Sequence, residues 1–290
     1  MILVNNPGSW AHIYSPLAHA SWHGCTPTDL VFPFFLFAVG NAMSFVMPKF
    51  QKAGSNEFWL KITKRTLLIF GIGLFLNWSP FVKWSDTGLV FKPWEMVRIL
   101  GVLQRIAICY FFASIILYYG KTRIALFIGM MILVIYWVLT YALGAPGHPF
   151  SLSGYFGNSI DQFILGISHI YKGEGVPFDP EGLTSSLPAI VQVILGYLVG
   201  EYIQLKGKNY EMLAQLLLTG VLLVLVGYIW DFSFPINKKI WTSSYVLYTT
   251  GLAMLSLGML IYLLEFKNAK GKWSHFFDVF GKNQIGRAHV

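Results

Sequence analysis

Seven predominantly apolar stretches, at 29–47, 66–82, 99–119, 124–143, 187–205, 212–230 and 245–264, recur along the chain, each near the ~20 residues that a helix needs to cross a bilayer. A chain built this way has few folds open to it. In hydrocarbon every backbone N–H and C=O must be satisfied internally, and the period-two alternation of a membrane barrel is missing, so each stretch is predicted to be a helix. Composition agrees: 55% of the 290 residues are hydrophobic and only 12% are charged, against about 25% charged in a soluble domain. The reading is an all-α, polytopic transmembrane helix bundle of about eight spans, the first truncated ahead of residue 29. A soluble enzyme, a disulfide-built secreted domain and a disordered tail are excluded. Cys25 and Cys109 are too few for a disulfide framework or a cysteine-rich metal site.

The connections between spans alternate in charge. One set holds Lys49, Lys52, Lys61, Lys64, Arg65, Lys121, Arg123, Lys206, Lys208, Lys267, Lys270 and Lys272 against Glu57, Glu211 and Glu265. The other balances Lys83, Lys92, Arg98, Lys172, Lys238 and Lys239 against Asp86, Glu95, Asp161, Glu174, Asp179, Glu181 and Asp231. A basic excess marks the cytoplasmic side. The second set is therefore expected to face outward, in the inner (cytoplasmic) membrane of a bacterium, with membrane lipid around the bundle. The net charge of +8 is explained by this bias and implies no nucleic-acid partner; a homodimer is a further expectation.

The outward connections are also the long ones, 1–28, 83–98, 144–186 and 231–244, which places the chemistry there. A stretch as long as 144–186 without evident secondary structure is usually either functional or disordered, and its mixture of Gly, Pro, aromatic and polar residues suits a folded lid. Residues 1–283 are read as a single transmembrane domain incomplete at both ends, because the apolar run ahead of Asn5 is too short to span. Residues 284–290 match what a common sequencing adapter encodes in one frame and are read as an artefact.

His19 stands in Ala18-His19-Ala20-Ser21-Trp22-His23, just ahead of a span. An imidazole can act as both base and acid near neutrality, although from the residues alone His19 and His23 read equally well as ordinary loop histidines. Thr26, Pro27 and Asp29 have the spacing of a capping box; support of a histidine is the other reading of Asp29. Arg105 lies inside a span, where a charge is costly unless it is paired or faces a polar cavity, with snorkelling to the headgroups as the alternative. Arg98, seven residues earlier, would share its helical face. Asp179 and Glu181 in Asp-Pro-Glu-Gly, and Asn237 and Lys238 in Asn-Lys-Lys, read as turns. No zinc spacing, phosphate-binding glycine loop or G-x-S-x-G elbow is present, so no metal is expected.

Taken in order and spacing, VNNPGSW, HASWHGCTPTDLVFPFFLFAVG, WEMVRILGVLQRIAICYF, DPEG and PINKKIWTSSYV resemble the transmembrane acyltransferases typified by heparan-α-glucosaminide N-acetyltransferase and its bacterial homologues. The resemblance implies a membrane-embedded acetyltransferase. It would use cytoplasmic acetyl-CoA as co-substrate and an amino sugar or related glycan across the membrane as acceptor. It makes His19 the catalytic histidine, since His23 falls where the family tolerates other residues. It matches Asn5, Arg105, Asn237 and Lys238 to family positions, with Arg105 and Arg98 as candidates to hold the acyl donor and Asn5, Asp29, Asp179, Glu181, Asn237 and Lys238 as supporting or substrate-binding residues. The family's usual first segment is absent here. A transporter or channel, with Arg105 on its route, is the alternative reading.

Overall fold

Most of every apolar stretch is helical in the structure, a computed structural model that describes residues 9, 12–85 and 88–284. In chain order the helices are α1 (Val31–Ala53), α2 (Ser55–Trp78), α3 (Val102–Leu143), α4 (Phe156–Leu165), α5 (Leu183–Lys206), α6 (Tyr210–Asp231), α7 (Ser243–Ile261) and α8 (Lys272–Gln284). A short antiparallel hairpin, β1 (Val82–Ser85) with β2 (Gly88–Phe91), pairs Val82 with Phe91 and follows α2. Among the described residues five helical segments are long and apolar enough to cross a membrane. The protein is a multi-pass bundle of membrane helices. The predicted truncated first span, Asn5 and residues 285–290 lie outside the described residues.

Two of the predicted spans are joined in α3. A straight helix of 42 residues would be about 63 Å long, twice the hydrocarbon thickness. The backbone instead breaks at Lys121, which takes a left-handed φ of 53°. Arg105, before the break, stacks its guanidinium 5.0 Å from the Trp241 ring centre, while the Tyr136 hydroxyl, after it, donates to the Ile240 carbonyl at 2.6 Å. Both halves therefore reach the same end of the bundle, and the chain reverses at Lys121.

Some boundaries differ from the sequence expectation for local reasons. α2 begins at Ser55, well before the predicted 66, because Gly54 with φ 96° makes the break after α1. Lys61, Lys64 and Arg65 consequently ride on the helix itself. The predicted helix from 99 begins at Val102. The Asn77 amide donates to the carbonyls of Arg98 at 3.0 Å and Leu100 at 3.2 Å, which holds that approach in an extended conformation. Arg98 therefore does not share a helical face with Arg105. Segment 144–186 is ordered as expected of a lid, through α4, several turns and the aromatic cluster of Tyr136, Tyr155, Phe178, Phe234 and Ile240.

α5 is the axis of the bundle, with 83% of its most apolar window buried; α1 and α3 pack on it, and α6 packs on α7. Without a hydrophobic drive between helices in lipid, close packing depends on small residues. Gly196 and Gly200 form a G-x-x-x-G step on α5. A Cβ at Gly196 would run into the Phe37 carbonyl oxygen, and one at Gly40 into that of Val193. Gly196→Leu is therefore expected to force α1 away from α5 and to lower stability by at least about 1–3 kcal/mol, read as a reduced unfolding temperature in detergent; an unchanged melting curve would refute this close approach.

Candidate active site

Residues 12–30 form an irregular segment that is stitched down before α1 begins. Thr26 Oγ1 donates to the Ala18 carbonyl at 2.7 Å, Thr28 Oγ1 to that of Leu17 at 2.8 Å, and Gly24 N–H to that of Ile236 at 2.7 Å. The turn Pro27–Leu30 then leads into α1. Asp29, 1% exposed, divides its two oxygens. Oδ2 accepts from the N–H groups of Ala20 (3.0 Å) and Thr26 (3.1 Å) and lies 3.0 Å from Thr26 Oγ1. Oδ1 lies 2.6 Å from His19 Nδ1 and 3.1 Å from Lys238 Nζ. Helix capping and support of a histidine, which the sequence left as alternatives, are both carried by this one carboxylate.

The arrangement fixes a tautomer. A lone pair on Nδ1 facing a carboxylate oxygen at 2.6 Å would be repelled, so Nδ1 carries the proton and donates it to Asp29. Nε2 is left with the free lone pair, the state that a general base or nucleophile requires. Lys238 Nζ also lies 3.1 Å from Nδ1, and with that nitrogen protonated its hydrogen bond goes to Asp29. The His19 side chain is 46% exposed, so a substrate can reach it.

Lys238 is aimed by the turn around Asn237. Asn237 Oδ1 accepts from the N–H groups of Lys239 (2.7 Å) and Ile240 (3.1 Å), its own N–H donates to Thr242 Oγ1 (3.0 Å), and its amide nitrogen faces His23 Nδ1 at 3.4 Å. Asn237 thus builds the loop that delivers Lys238. The same turn brings Lys239 to Glu174 of the lid (2.6 Å), to the Ser21 carbonyl (2.8 Å) and over the Trp22 ring. In the sequence Lys239 read as part of the Asn-Lys-Lys turn and Glu174 only as a loop charge. His23, which has no link to Asp29, has its pKa lowered by burial, against the opposing charge of Asp231.

Arg105 is fully buried rather than snorkelled. It donates to the Gly182 carbonyl at 3.2 Å and to Ser185 Oγ, at the start of α5, and stacks on Trp241. Its Nε and Nη1 and the neighbouring Trp241 Nε1 are buried without a partner among the described residues. Three orphaned donors around a buried cation suit the polar, anionic arm of a ligand. Arg98 is instead held between Asp179 (2.9 and 2.5 Å) and Glu181, over the Tyr171 ring. Burial opposes its charge, and the carboxylates more than offset this, so its pKa is raised. The structure therefore brings Arg98, Asp179 and Glu181 together as an ion-pair cluster that ties segment 144–186 to the approach of α3, and brings His19, Asp29 and Lys238 together as a second, candidate catalytic cluster.

Asp161 on α4 entered the sequence reading only as a loop charge. It is 2% exposed and accepts from the Thr184 N–H and Oγ1, each at 3.1 Å. Burial pushes its carboxyl up to about 6 from 3.8, against the pull of Thr184 and Arg105. A folded-state carboxyl that holds its proton more tightly than the unfolded one contributes stability below about pH 4 and loses it as pH rises to about 6. Unfolding temperature should fall across that window relative to Asp161→Asn, which keeps an acceptor for Thr184 without a titration; parallel curves for the two proteins would refute the assignment.

No family model matches the chain. It is 29% identical to heparan-alpha-glucosaminide N-acetyltransferase of Homo sapiens and 26% identical to that of Mus musculus, in each case over 337 aligned positions. Each match takes in 94% of this chain and 48% of the relative, so the chain spans about half the length of the curated relatives it matches. The resemblance carried by short motifs thus extends over nearly the whole chain, to proteins named as heparan-alpha-glucosaminide N-acetyltransferases.

Proposed function

We propose that the protein transfers an acetyl group from acetyl-CoA on the cytoplasmic side to the amino group of an amino sugar, or a related glycan, on the other side of the membrane. The observation that carries this reading is the His19–Asp29 pair, in which the carboxylate engages Nδ1 of a half-exposed imidazole at one end of a membrane bundle and so directs the lone pair of the neutral ring to Nε2. The similarity to glycan N-acetyltransferases supports the choice of reaction.

In the transfer a C–N bond forms at the thioester carbonyl and the C–S bond breaks, while the amine loses a proton and the departing thiolate can take one up. His19 Nε2 is placed to remove the proton from the amine and return it to the sulfur. Asp29 stabilises the imidazolium formed in between. Lys238 is the cation nearest this centre and the candidate to face the oxyanion that develops at the carbonyl. The orphaned donors of Arg105 and Trp241 suit the polar part of the acyl donor. The opposite end of the bundle carries Lys49 to Arg65, Lys121, Arg123, Lys206 and Lys208, a basic surface that suits the nucleotide phosphates and a cytoplasmic orientation.

The test is transfer in sealed vesicles. With acetyl-CoA supplied only on the side of Lys206 and glucosamine only on the side of His19, N-acetylglucosamine should accumulate with the glucosamine. Passage of glucosamine with no acetylated product would replace this reading by a transporter.

A further inference from the structure

Beside the His19 centre, but outside it, a cavity of about 450 Å³ opens between the 23–25 segment and the adjoining ends of α6 and α7. This size is within the range of small-ligand sites. Its lining includes His23, Cys25, Tyr228, Asp231 and Tyr248, and neither lysine nor arginine. The nearby loops are rich in cations, Lys238, Lys239 and Arg98, and each of these is turned to a carboxylate elsewhere. Asp231 receives none of them. Its Oδ1 accepts the Ile236 N–H at 2.5 Å, closing the turn after α6, and among the described residues no basic side chain pairs with it. The lining therefore carries a carboxylate whose basic neighbour there is the His23 imidazole, which burial holds toward its neutral form, with two phenol rings, one of them, Tyr228, 57% exposed.

A carboxylate beside aromatic faces is selective for cations, because the ring quadrupole adds to the charge. We propose that this cavity binds an organic ammonium group, held by Asp231 and the rings of Tyr228 and Tyr248. Two sources share that chemistry: the protonated amine of an amino-sugar acceptor, and the ethanolamine headgroup of a bilayer lipid. The first rests on the acetyl-transfer reading; capture of an ammonium does not. The cavity is also near the reactive centre. His23 Nδ1 meets the Asn237 amide at 3.4 Å, and the Cys25 thiol, pushed up to about 12 by burial, lies within electrostatic reach of both Asp29 and Lys238.

The experiment is calorimetric titration of the purified full chain in detergent with glucosamine, and with N-acetylglucosamine as the neutral control. Glucosamine should bind more tightly than the control. Asp231→Asn retains an oxygen for the Ile236 N–H, so the turn survives, yet it should weaken glucosamine by about tenfold or more and leave the control unchanged. Tyr228→Leu should weaken glucosamine less. Repeating the titration in nanodiscs with and without phosphatidylethanolamine separates the sources. Apparent glucosamine affinity lowered by that lipid, and restored in the Asp231→Asn protein to its own lipid-free value, assigns the cavity to the headgroup; affinity indifferent to the lipid assigns it to the sugar. Equal glucosamine binding by wild type and Asp231→Asn in every medium would overturn the proposal while leaving transfer at His19 untouched. Conversely, Asp231-dependent binding in a protein that never acetylates would retain the cavity and remove the transferase.

Discussion

His19→Ala is expected to reduce acetyl transfer by about 10²- to 10⁴-fold, the range for loss of a general base, while acetyl-CoA still binds. The partner variant is the sharper test. In Asp29→Asn an amide N–H group would face Nδ1, so the imidazole would turn its lone pair toward it and carry its proton on Nε2 instead. The base would then be blocked with the ring still in place. Activity should fall into the same range, and the nitrogen resonances of a labelled His19 should show the exchanged tautomer. His23→Ala should be mild, because that ring has no carboxylate to orient it. Near-normal turnover in His19→Ala would end the assignment.

The second large effect is at Arg105, where packing and charge can be separated. Arg105→Ala empties a fully buried site and should destabilise the bundle by about 3–5 kcal/mol, the cost of truncating a large core side chain. Arg105→Met refills most of that volume without a charge. Replacing a buried ionic group by an apolar one of similar size is often neutral or stabilising. Arg105→Met should therefore unfold near the wild-type temperature and still lose affinity for acetyl-CoA, by about tenfold or more for charge-assisted hydrogen bonds. Wild-type affinity in Arg105→Met would leave the arginine a structural role only.

The helices were legible because a lipid environment leaves the chain one way to satisfy its backbone, and α5, α6 and α7 matched their predicted spans to within four residues. Boundaries set by tertiary contacts were not. Nothing near Arg98 announces that Asn77 will pin residues 98–101 in an extended form, and a helix carried back through them put Arg98 on the wrong surface. Arg105 was conspicuous as a charge inside a span, yet its neighbour Trp241 resembled any other interfacial aromatic, since their contact joins distant parts of the chain. The capping spacing revealed Asp29 and concealed half of its work, because local spacing cannot show that a histidine ten positions earlier folds back onto it. Asp161 was one more polar residue in a loop until Thr184 came to meet it.

The division of the two Asp29 oxygens means that the start of a spanning helix and the tautomer of the His19 imidazole depend on the same carboxylate. A chain whose first turn of α1 has not yet closed leaves that carboxylate mobile, and the ring beside it free to exchange tautomers. The seating of α1 at its first turn and the orientation of the His19 ring are thereby tied to one side chain.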